Sequence, residues 1–177
     1  MNEQAQEVQI AWATHWRTYA DVHAAAYREA YRGIMDEQYL AAYTPENRQT
    51  HYAKLVEAGD GGTSRAAILS INGEPAGCLL ICSSKDADLA DGYGEIDALY
   101  LLPDSKGRGY GRLLLSWGMG RLAEQGCSAY VLWVLEENEA ARRFYERMGF
   151  HADGASRIIE RGRKLVQLRY ICSNKTN

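Results

Sequence analysis

Hydrophobic positions along the chain follow two periods, and their alternation predicts an α/β fold. Segments with apolar residues every three or four positions indicate amphipathic helices, whereas shorter segments dense in β-branched and aromatic residues indicate strands. The predicted helices cover residues 14–30, 36–43, 44–58, 113–125 and 138–149. The predicted strands cover residues 8–13, 64–71, 74–83, 96–102 and 128–135, followed by one from Phe150 onward and one at 164–172.

Local turn signals set the borders between these elements. Asn72-Gly73 between two strands is the strongest short signal for a β-hairpin, and Arg161-Gly162-Arg163 is the predicted turn between the last two strands. Thr44-Pro45 is predicted to start a helix that the glycines from Gly59 to Gly62 end. No linker, repeat or low-complexity segment interrupts this order, so we expect a single domain over residues 1–177.

Composition restricts the function classes. The chain has 177 residues, 46% of them hydrophobic and 24% charged, which is ordinary for a globular protein with a substantial core. A net charge of −3 and a pI near 5.8 argue against a general nucleic-acid binder. Because no run of about 18 apolar residues occurs and residues 1–9 are polar, we expect a cytoplasmic protein with no membrane span and no signal peptide.

The cysteines and histidines show no metal-binding pattern. The four cysteines, Cys78, Cys82, Cys127 and Cys172, include no C-x-x-C pair and are predicted to be reduced thiols. The four histidines are scattered without the spacing of metal ligands. We therefore expect no metal.

A glycine-rich turn separates the strand at 96–102 from the following helix. Its glycines allow positive φ and let a ligand approach the backbone; they are Gly107, Gly109 and Gly111. Free N–H groups at a helix start attract anions, and the cations around the turn strengthen this attraction; they are Lys106, Arg108 and Arg112. The pattern predicts a phosphate-binding turn. A structural turn with solvated cations is the alternative interpretation.

The spacing of this turn differs from two common nucleotide-binding motifs. It is G-x-G-x-G, so it satisfies neither G-x-x-x-x-G-K-[ST] nor G-x-G-x-x-G. The lysine and hydroxyl that end a mononucleotide loop are missing after the last glycine. A dinucleotide site would also need a βαβ unit and an acidic residue about 20 residues on, so neither motif fits.

Two motifs together resemble those of the GNAT N-acetyltransferase superfamily. Residues Lys106 to Gly111 resemble its Q/R-x-x-G-x-G/A acetyl-CoA motif, with lysine where glutamine or arginine is usual. Residues Asn138 to Phe150 resemble its N-x-x-A-x-x-F-Y-x-x-x-G-F segment. The resemblance covers about residues 8–171, the core of the domain, and is strong from Gly94 to Phe150.

The resemblance implies a fold and an activity. The expected fold is α/β, with a central, mixed, mostly antiparallel, twisted sheet of six to seven strands, about four flanking helices and splayed central strands. The expected reaction is acetyl transfer from acetyl-CoA to a primary amine of a small molecule, with a peptide or protein amine as second choice. A homodimer is compatible with the family. An acyl-CoA-binding sensor or inactive interaction module on the same fold is the alternative function.

The positions that match the family's cofactor contacts form three groups. Backbone pairing with pantetheine is expected along one splayed strand, at Leu99, Tyr100 and Leu101. The pyrophosphate is expected at the glycine turn, comprising Lys106, Gly107, Arg108, Gly109, Tyr110, Gly111 and Arg112. Asn138 matches a pantetheine contact, and it is also an ordinary helix N-cap.

Amine acetylation requires a base, because at a pKa of about 10.4 only about one amine in 10³ is neutral at pH 7. By the resemblance, Glu95 matches a general base found in some family members, and Asp97 on the same strand face is the alternative. Structural carboxylates with a bound water as base are a further alternative. Tyr145 matches the tyrosine that protonates the departing thiolate and touches the cofactor, or it is a buried structural tyrosine.

The acceptor is expected to bind near the end of the first helix. The apolar stripe of this helix is typical of a core face, but in the resembled family its C-terminal end forms one wall of the acceptor cleft. The substrate contacts predicted on this basis are Tyr27, Tyr31 and Arg32, together with Asp97. The acidic loop at 84–94 is interpreted either as a solvated loop or as a rim that attracts a cationic amine.

Overall fold

The computed structural model of the protein describes residues 6–57 and 64–173. Within these ranges the chain forms seven strands and five α-helices. The strands are β1 (Val8–Trp12), β2 (Ser64–Ile71), β3 (Glu74–Ser83), β4 (Tyr93–Leu101), β5 (Ala129–Leu135), β6 (His151–Glu160) and β7 (Lys164–Ser173). The helices are α1 (Trp16–Ala30), α2 (Glu37–Ala41), α3 (Gln49–Glu57), α4 (Tyr110–Glu124) and α5 (Glu139–Arg147).

The seven strands form one mixed sheet in the order β1-β2-β3-β4-β5-β7-β6. Every neighbouring pair is antiparallel except β4 and β5, which are parallel. The prediction of a mixed, mostly antiparallel sheet of six to seven strands is therefore confirmed. The short helix predicted at 36–43 forms over Glu37–Ala41, and it begins where the Asp36 carboxylate accepts a hydrogen bond from the Tyr39 N–H at 2.8 Å. It brings the α-helices of the described residues to five, where the resemblance implied about four.

The parallel strands β4 and β5 are paired over only three residues. Tyr93 to Glu95 lie in register with Ala129 to Val131, and beyond this point β4 stays paired with β3 while β5 stays paired with β7. A register shift opposite Leu80 and Ile81 leaves Asp97 without a partner on β3, and such bulges increase the local twist of a strand. The two central strands thus part as expected, and the opening begins directly after Glu95.

Two apolar cores lie on opposite faces of the sheet, because alternate strand residues point to opposite sides. On one face, covered by α1 and α3, Tyr52 and Leu80 belong to a cluster rich in buried aromatic side chains. On the other face, Leu79 and Leu114 belong to a cluster that includes residues of α4 and α5. The edges of both cores meet at the opening between β4 and β5.

Most predicted borders agree with the structure within a few residues. Asn72 and Gly73 have φ angles of 52° and 82°, as the predicted hairpin requires. The helix predicted from Thr44-Pro45 begins later, at Gln49, because the Thr44 hydroxyl accepts the N–H of Asn47 and caps only a turn. Its predicted end at Gly59 to Gly62 lies outside the described residues.

Candidate active site

A cavity of about 1200 Å³ opens where β4 and β5 part. The end of α1, the unpaired part of β4, the glycine turn, β5 and α5 surround it. It brings together twelve of the predicted site residues: Tyr31, Asp97, Leu99, Tyr100, Leu101, Lys106, Gly107, Gly109, Gly111, Arg112, Asn138 and Tyr145.

Five predicted site residues do not line this cavity, and they are Tyr27, Arg32, Glu95, Arg108 and Tyr110. Tyr27 lies in the core on the α1 side, where its hydroxyl donates to the sulfur of Met35 at 3.3 Å. Arg32 is exposed, lies two residues past the end of α1 and pairs with Glu29 in the last turn of that helix. Arg108 is exposed, and Tyr110 packs in the α4 core and donates its hydroxyl proton to Gln6.

Five polar or aromatic lining residues were not predicted, and they are Glu29, Ser116, Trp133, Phe144 and Arg147. Trp133 lies in a nearly continuous apolar segment, and such a segment gives no indication of which side chains face the gap. Arg147 is at the last turn of α5, where a cation is typical of any helix end.

The glycine turn presents free backbone N–H groups to the cavity. Gly109 has a φ of 84° and begins α4, whose first hydrogen bond runs from the Leu113 N–H to the Gly109 carbonyl. The N–H groups of Tyr110, Gly111 and Arg112, in the first turn of α4, therefore have no acceptor within the helix. An added Cβ at Gly109 would meet no atom within 4 Å, so the space beside this backbone is open to a ligand. The geometry suits an anion held by amides, with Lys106 and Arg112 beside it.

Tyr145 lies on α5, which begins where the Asn138 side chain accepts the N–H of Ala141 at 3.2 Å. The tyrosine ring packs against Phe144 and Phe150. Among residues 6–57 and 64–173, no hydrogen-bond partner is found for its hydroxyl. Burial, and then the nearby Tyr31, raise the pKa of Tyr145 far above its usual value. The phenol is therefore protonated across the physiological range and can donate a proton into the cavity.

The hydroxyls of Tyr31 and Tyr100 lie 2.8 Å apart on the α1 side of the cavity. Burial raises the pKa of both phenols. Tyr31 comes directly after the last residue of α1, and Tyr100 lies on the unpaired part of β4. This hydrogen bond therefore joins α1 to the wall of the cavity.

Two carboxyl groups flank the point where the strands part. Glu95 is 4% exposed, and its Oε2 accepts the backbone N–H of Lys85 at 3.3 Å. Asp97 lines the cavity, and its Oδ1 lies 3.6 Å from the Lys85 ammonium. Burial raises the pKa of Glu95, the charge of Asp97 raises it further, and Lys85 opposes both effects. A carboxylate with a raised pKa is a better proton acceptor than an exposed one.

The acidic loop after β3 is held against the sheet. Arg169 of β7 is 6% exposed and donates two hydrogen bonds to Asp88, at 2.7 and 2.8 Å, and one to Asp153 at 2.8 Å. The indole N–H of Trp133 donates to Asp86 at 3.1 Å. Asp86 and Asp88 are therefore bound by residues of the sheet, although the Asp88 side chain stays 67% exposed.

Neither a metal-binding group of side chains nor a membrane-spanning helix is found in the described residues. In residues 6–57 and 64–173, no three His, Cys, Asp or Glu side chains form a group that could hold a metal ion. Over the same part of the chain, no helix combines the length and apolar character needed to cross a membrane.

Comparison with known proteins gives one family and several relatives. The model of the acetyltransferase (GNAT) family matches residues 16–150. A mycothiol acetyltransferase of Saccharopolyspora erythraea is 36% identical over 85 residues, which are 44% of this chain and 28% of that protein. An uncharacterized N-acetyltransferase of Methanocaldococcus jannaschii is 31% identical over 130 residues, 70% of this chain and 53% of the relative. The chain thus spans about a quarter of the length of the first relative and about half of the length of the second.

Solved structures agree with the fold. A PaiA N-acetyltransferase from Thermoplasma acidophilum, crystallised with coenzyme A, superposes with a TM-score of 0.71 at 16% identity, over 94% of this chain and 99% of that one. A GCN5-related N-acetyltransferase from Rhodopseudomonas palustris superposes with a TM-score of 0.72 at 16% identity, over 98% of each chain.

Proposed function

The chain belongs to the acetyltransferase (GNAT) family, and from this premise we propose that it transfers an acetyl group from acetyl-CoA directly to a primary amine of a small molecule. The observation that carries the proposal is the cavity itself, because it joins an anion-binding helix start to the unpaired edge of β4. An acyl-CoA thioester needs both features, since its pyrophosphate is anionic and its pantetheine arm is an extended chain of amides.

The residues of the cavity fit acetyl-CoA in three places. The amides around Gly109 and Gly111 receive the pyrophosphate, with Lys106 and Arg112 as counter-charges. The backbone of Leu99 to Leu101 pairs with the pantetheine amides, because β5 leaves this edge of β4 unpaired. A strand N–H directed into the gap can also polarise the thioester carbonyl, so that negative charge developing on its oxygen is stabilised. Asn138 stands beside the arm at the start of α5.

The base of the reaction is assigned to Glu95 and Asp97, the two carboxyl groups at the point where β4 and β5 part. Glu95 is the first choice, because burial raises its pKa toward the range where a carboxylate removes a proton efficiently. It does not line the cavity, so the proton reaches it through a water or through Asp97, which does. Asp97 is the alternative base.

The acid of the reaction is assigned to Tyr145. Tyr145 lines the cavity, and its hydroxyl has no hydrogen-bond partner among the described residues. The phenol is protonated at neutral pH, so its proton is available when a thiolate develops beside it. Donation of this proton to the sulfur of coenzyme A completes the transfer. The thiol leaves as the acetylated amine loses its extra proton to the base.

The acceptor is assigned to the mouth of the cavity near Tyr31, Asp97 and Trp133. A carboxylate and aromatic rings suit a cationic small molecule that carries an amine. The matches to mycothiol acetyltransferases support a small-molecule acceptor for this chain as well.

A thiol-release assay tests the proposal. The protein and acetyl-CoA are mixed with amino acids, polyamines, aminoglycosides and a peptide with a free N-terminus, and free thiol is followed over time. We expect release that depends on one class of small amine, with mass spectrometry showing the acetylated product. Coenzyme A binding without any acetylated amine would favour a sensor, and absence of binding would overturn the proposal.

A further inference from the structure

Lys85 contacts both carboxyl groups of the proposed base. It lies in the loop after β3, and its backbone N–H is 3.3 Å from Glu95 Oε2. Its ammonium group is 3.6 Å from Asp97 Oδ1. No family motif includes this residue, and it does not line the cavity. One lysine therefore touches both candidates for proton removal, one through its backbone and one through its side chain.

The loop that carries Lys85 is fixed on both sides of this residue. Before it, the Ser84 N–H donates to the Tyr93 carbonyl at 3.0 Å. After it, Asp86 accepts the indole N–H of Trp133, and Asp88 is bound by the buried Arg169. These anchors on β4, β5 and β7 leave the Lys85 N–H little freedom to move away from Glu95.

The surroundings of Glu95 make its charged form sensitive to a neighbouring cation. Glu95 is almost fully buried, so its charged form is disfavoured by lost solvation. The titratable groups that face it are Cys82 of β3, Lys85 and Asp86 of the loop, and Asp97 of β4. The charge of Asp97 also acts on Tyr19 of α1 and on His51 of α3, and the charge of Lys85 acts on His51. Among the groups that face Glu95, Lys85 contributes the positive charge.

We infer that Lys85 is a positioning residue for the base, which holds Glu95 through its backbone N–H and pairs its ammonium group with Asp97, so that Glu95 stays ionised before an acceptor arrives. The inference rests on the proposed function for the role of the pair, but not for the electrostatic effect itself. Without the ammonium group, the negative charge of Asp97 would act on the buried Glu95 without opposition, and Glu95 would take up a proton at higher pH.

Substitution of the side chain separates its charge from the backbone hydrogen bond. Lys85→Met keeps the N–H and the apolar stem but removes the charge, while Lys85→Arg keeps the charge. Lys164→Met removes a lysine from the exposed start of β7 and serves as the control. The titration of Glu95 is followed by carbon-13 NMR of its carboxyl group, identified by its loss in Glu95→Gln. This readout needs neither acetyl-CoA nor a known acceptor.

We expect the Glu95 titration to move to higher pH in Lys85→Met and to remain at the wild-type position in Lys85→Arg and Lys164→Met. The displacement should shrink in high salt, because the Lys85 side chain is 60% exposed. In turnover, the acidic limb of the pH profile should move in the same direction, with an additional loss of about two- to threefold at pH 6 relative to pH 8.

An unchanged titration in Lys85→Met, or an equal displacement in Lys164→Met, would overturn the inference. A protein that titrates as expected but acetylates no amine would contradict the proposed function and leave the electrostatic role of Lys85 standing. The two failures are therefore distinguishable.

Discussion

Glu95 of β4 lies opposite Val131 of β5 in the last register pair between these two parallel strands. Beyond this pair, β4 stays paired with β3 and β5 stays paired with β7, but β4 and β5 are no longer paired with each other. The opening, the buried carboxyl group and the bulge at Asp97 therefore coincide within three positions of one strand. This places the proposed base at the inner end of the groove into which a thioester would extend.

The glycine turn should bind coenzyme A through its backbone, with no tolerance for negative charge. We expect Gly109→Asp to weaken coenzyme A binding at least about tenfold more than Gly109→Asn, measured by calorimetry. Both side chains have the same size and both tolerate the positive φ of this position. Only the aspartate places a negative charge beside the pyrophosphate. Equal losses in the two variants would mean that shape and not charge governs the site.

Tyr145→Phe should separate chemistry from binding. We expect kcat to fall by about 10²-fold while the affinity for coenzyme A changes less than about twofold, because the hydroxyl is needed chiefly when the thiolate departs. Steady-state kinetics and calorimetry together give both quantities. Parallel losses in turnover and affinity would indicate a structural tyrosine.

Arg169 should stabilise the fold through the loop that it anchors. Arg169→Met removes the cation that pairs with Asp153, whose side chain is only 14% exposed. We expect the free energy of unfolding, measured in urea, to fall by about 3 kcal/mol. Arg143→Met removes an exposed pair with Glu139 on α5 and should cost less than about 0.5 kcal/mol. Similar losses in both variants would contradict a special role for Arg169.

His23 should make stability depend on pH. Its ring is buried and bonded to the Tyr52 hydroxyl at 2.8 Å, and burial, with the nearby Arg48 and His51, lowers its pKa to about 3. The folded state thus binds fewer protons than the unfolded state, whose histidine has a pKa of about 6.5. The contribution is full above about pH 6.5 and is lost as pH falls toward 3, with a slope approaching about 1.4 kcal/mol per pH unit.

Urea unfolding between pH 7 and pH 4 measures this slope. In His23→Gln the slope should decrease by the contribution of this one group, whereas His151→Gln, at an exposed position, should keep the wild-type slope. A His23→Gln variant with an unchanged slope would contradict the assignment.

Local chemistry explains which parts of the fold could be predicted from the sequence. The hairpin at Asn72-Gly73 and the glycine turn follow from backbone preferences of a few adjacent residues, and their positions are confirmed. The parting of β4 and β5 came from the family resemblance, because strand register is a long-range property with no local pattern. The predicted site residues show the same division, since the three turn glycines line the cavity while Tyr27 and Arg32 do not.

Long-range contacts account for what the sequence did not indicate. Arg169 and Asp88 are 81 positions apart, so an acidic loop that looks solvated in sequence is bound to a strand near the other end of the chain. Trp133 and Lys85 carry no motif, and their relation to the cavity and the carboxyl pair depends on strand pairing alone. Helix phase explains Tyr27, whose position in α1 directs it into the core.

A crystal structure of the protein with coenzyme A shows whether the gap between β4 and β5 holds the cofactor. We expect the pyrophosphate on the amides from Gly109 to Arg112 and the pantetheine amides along Leu99 to Leu101, with the sulfur near the Tyr145 hydroxyl. Coenzyme A bound elsewhere, or a gap between β4 and β5 that stays empty or is filled by side chains at saturating ligand, would contradict this expectation.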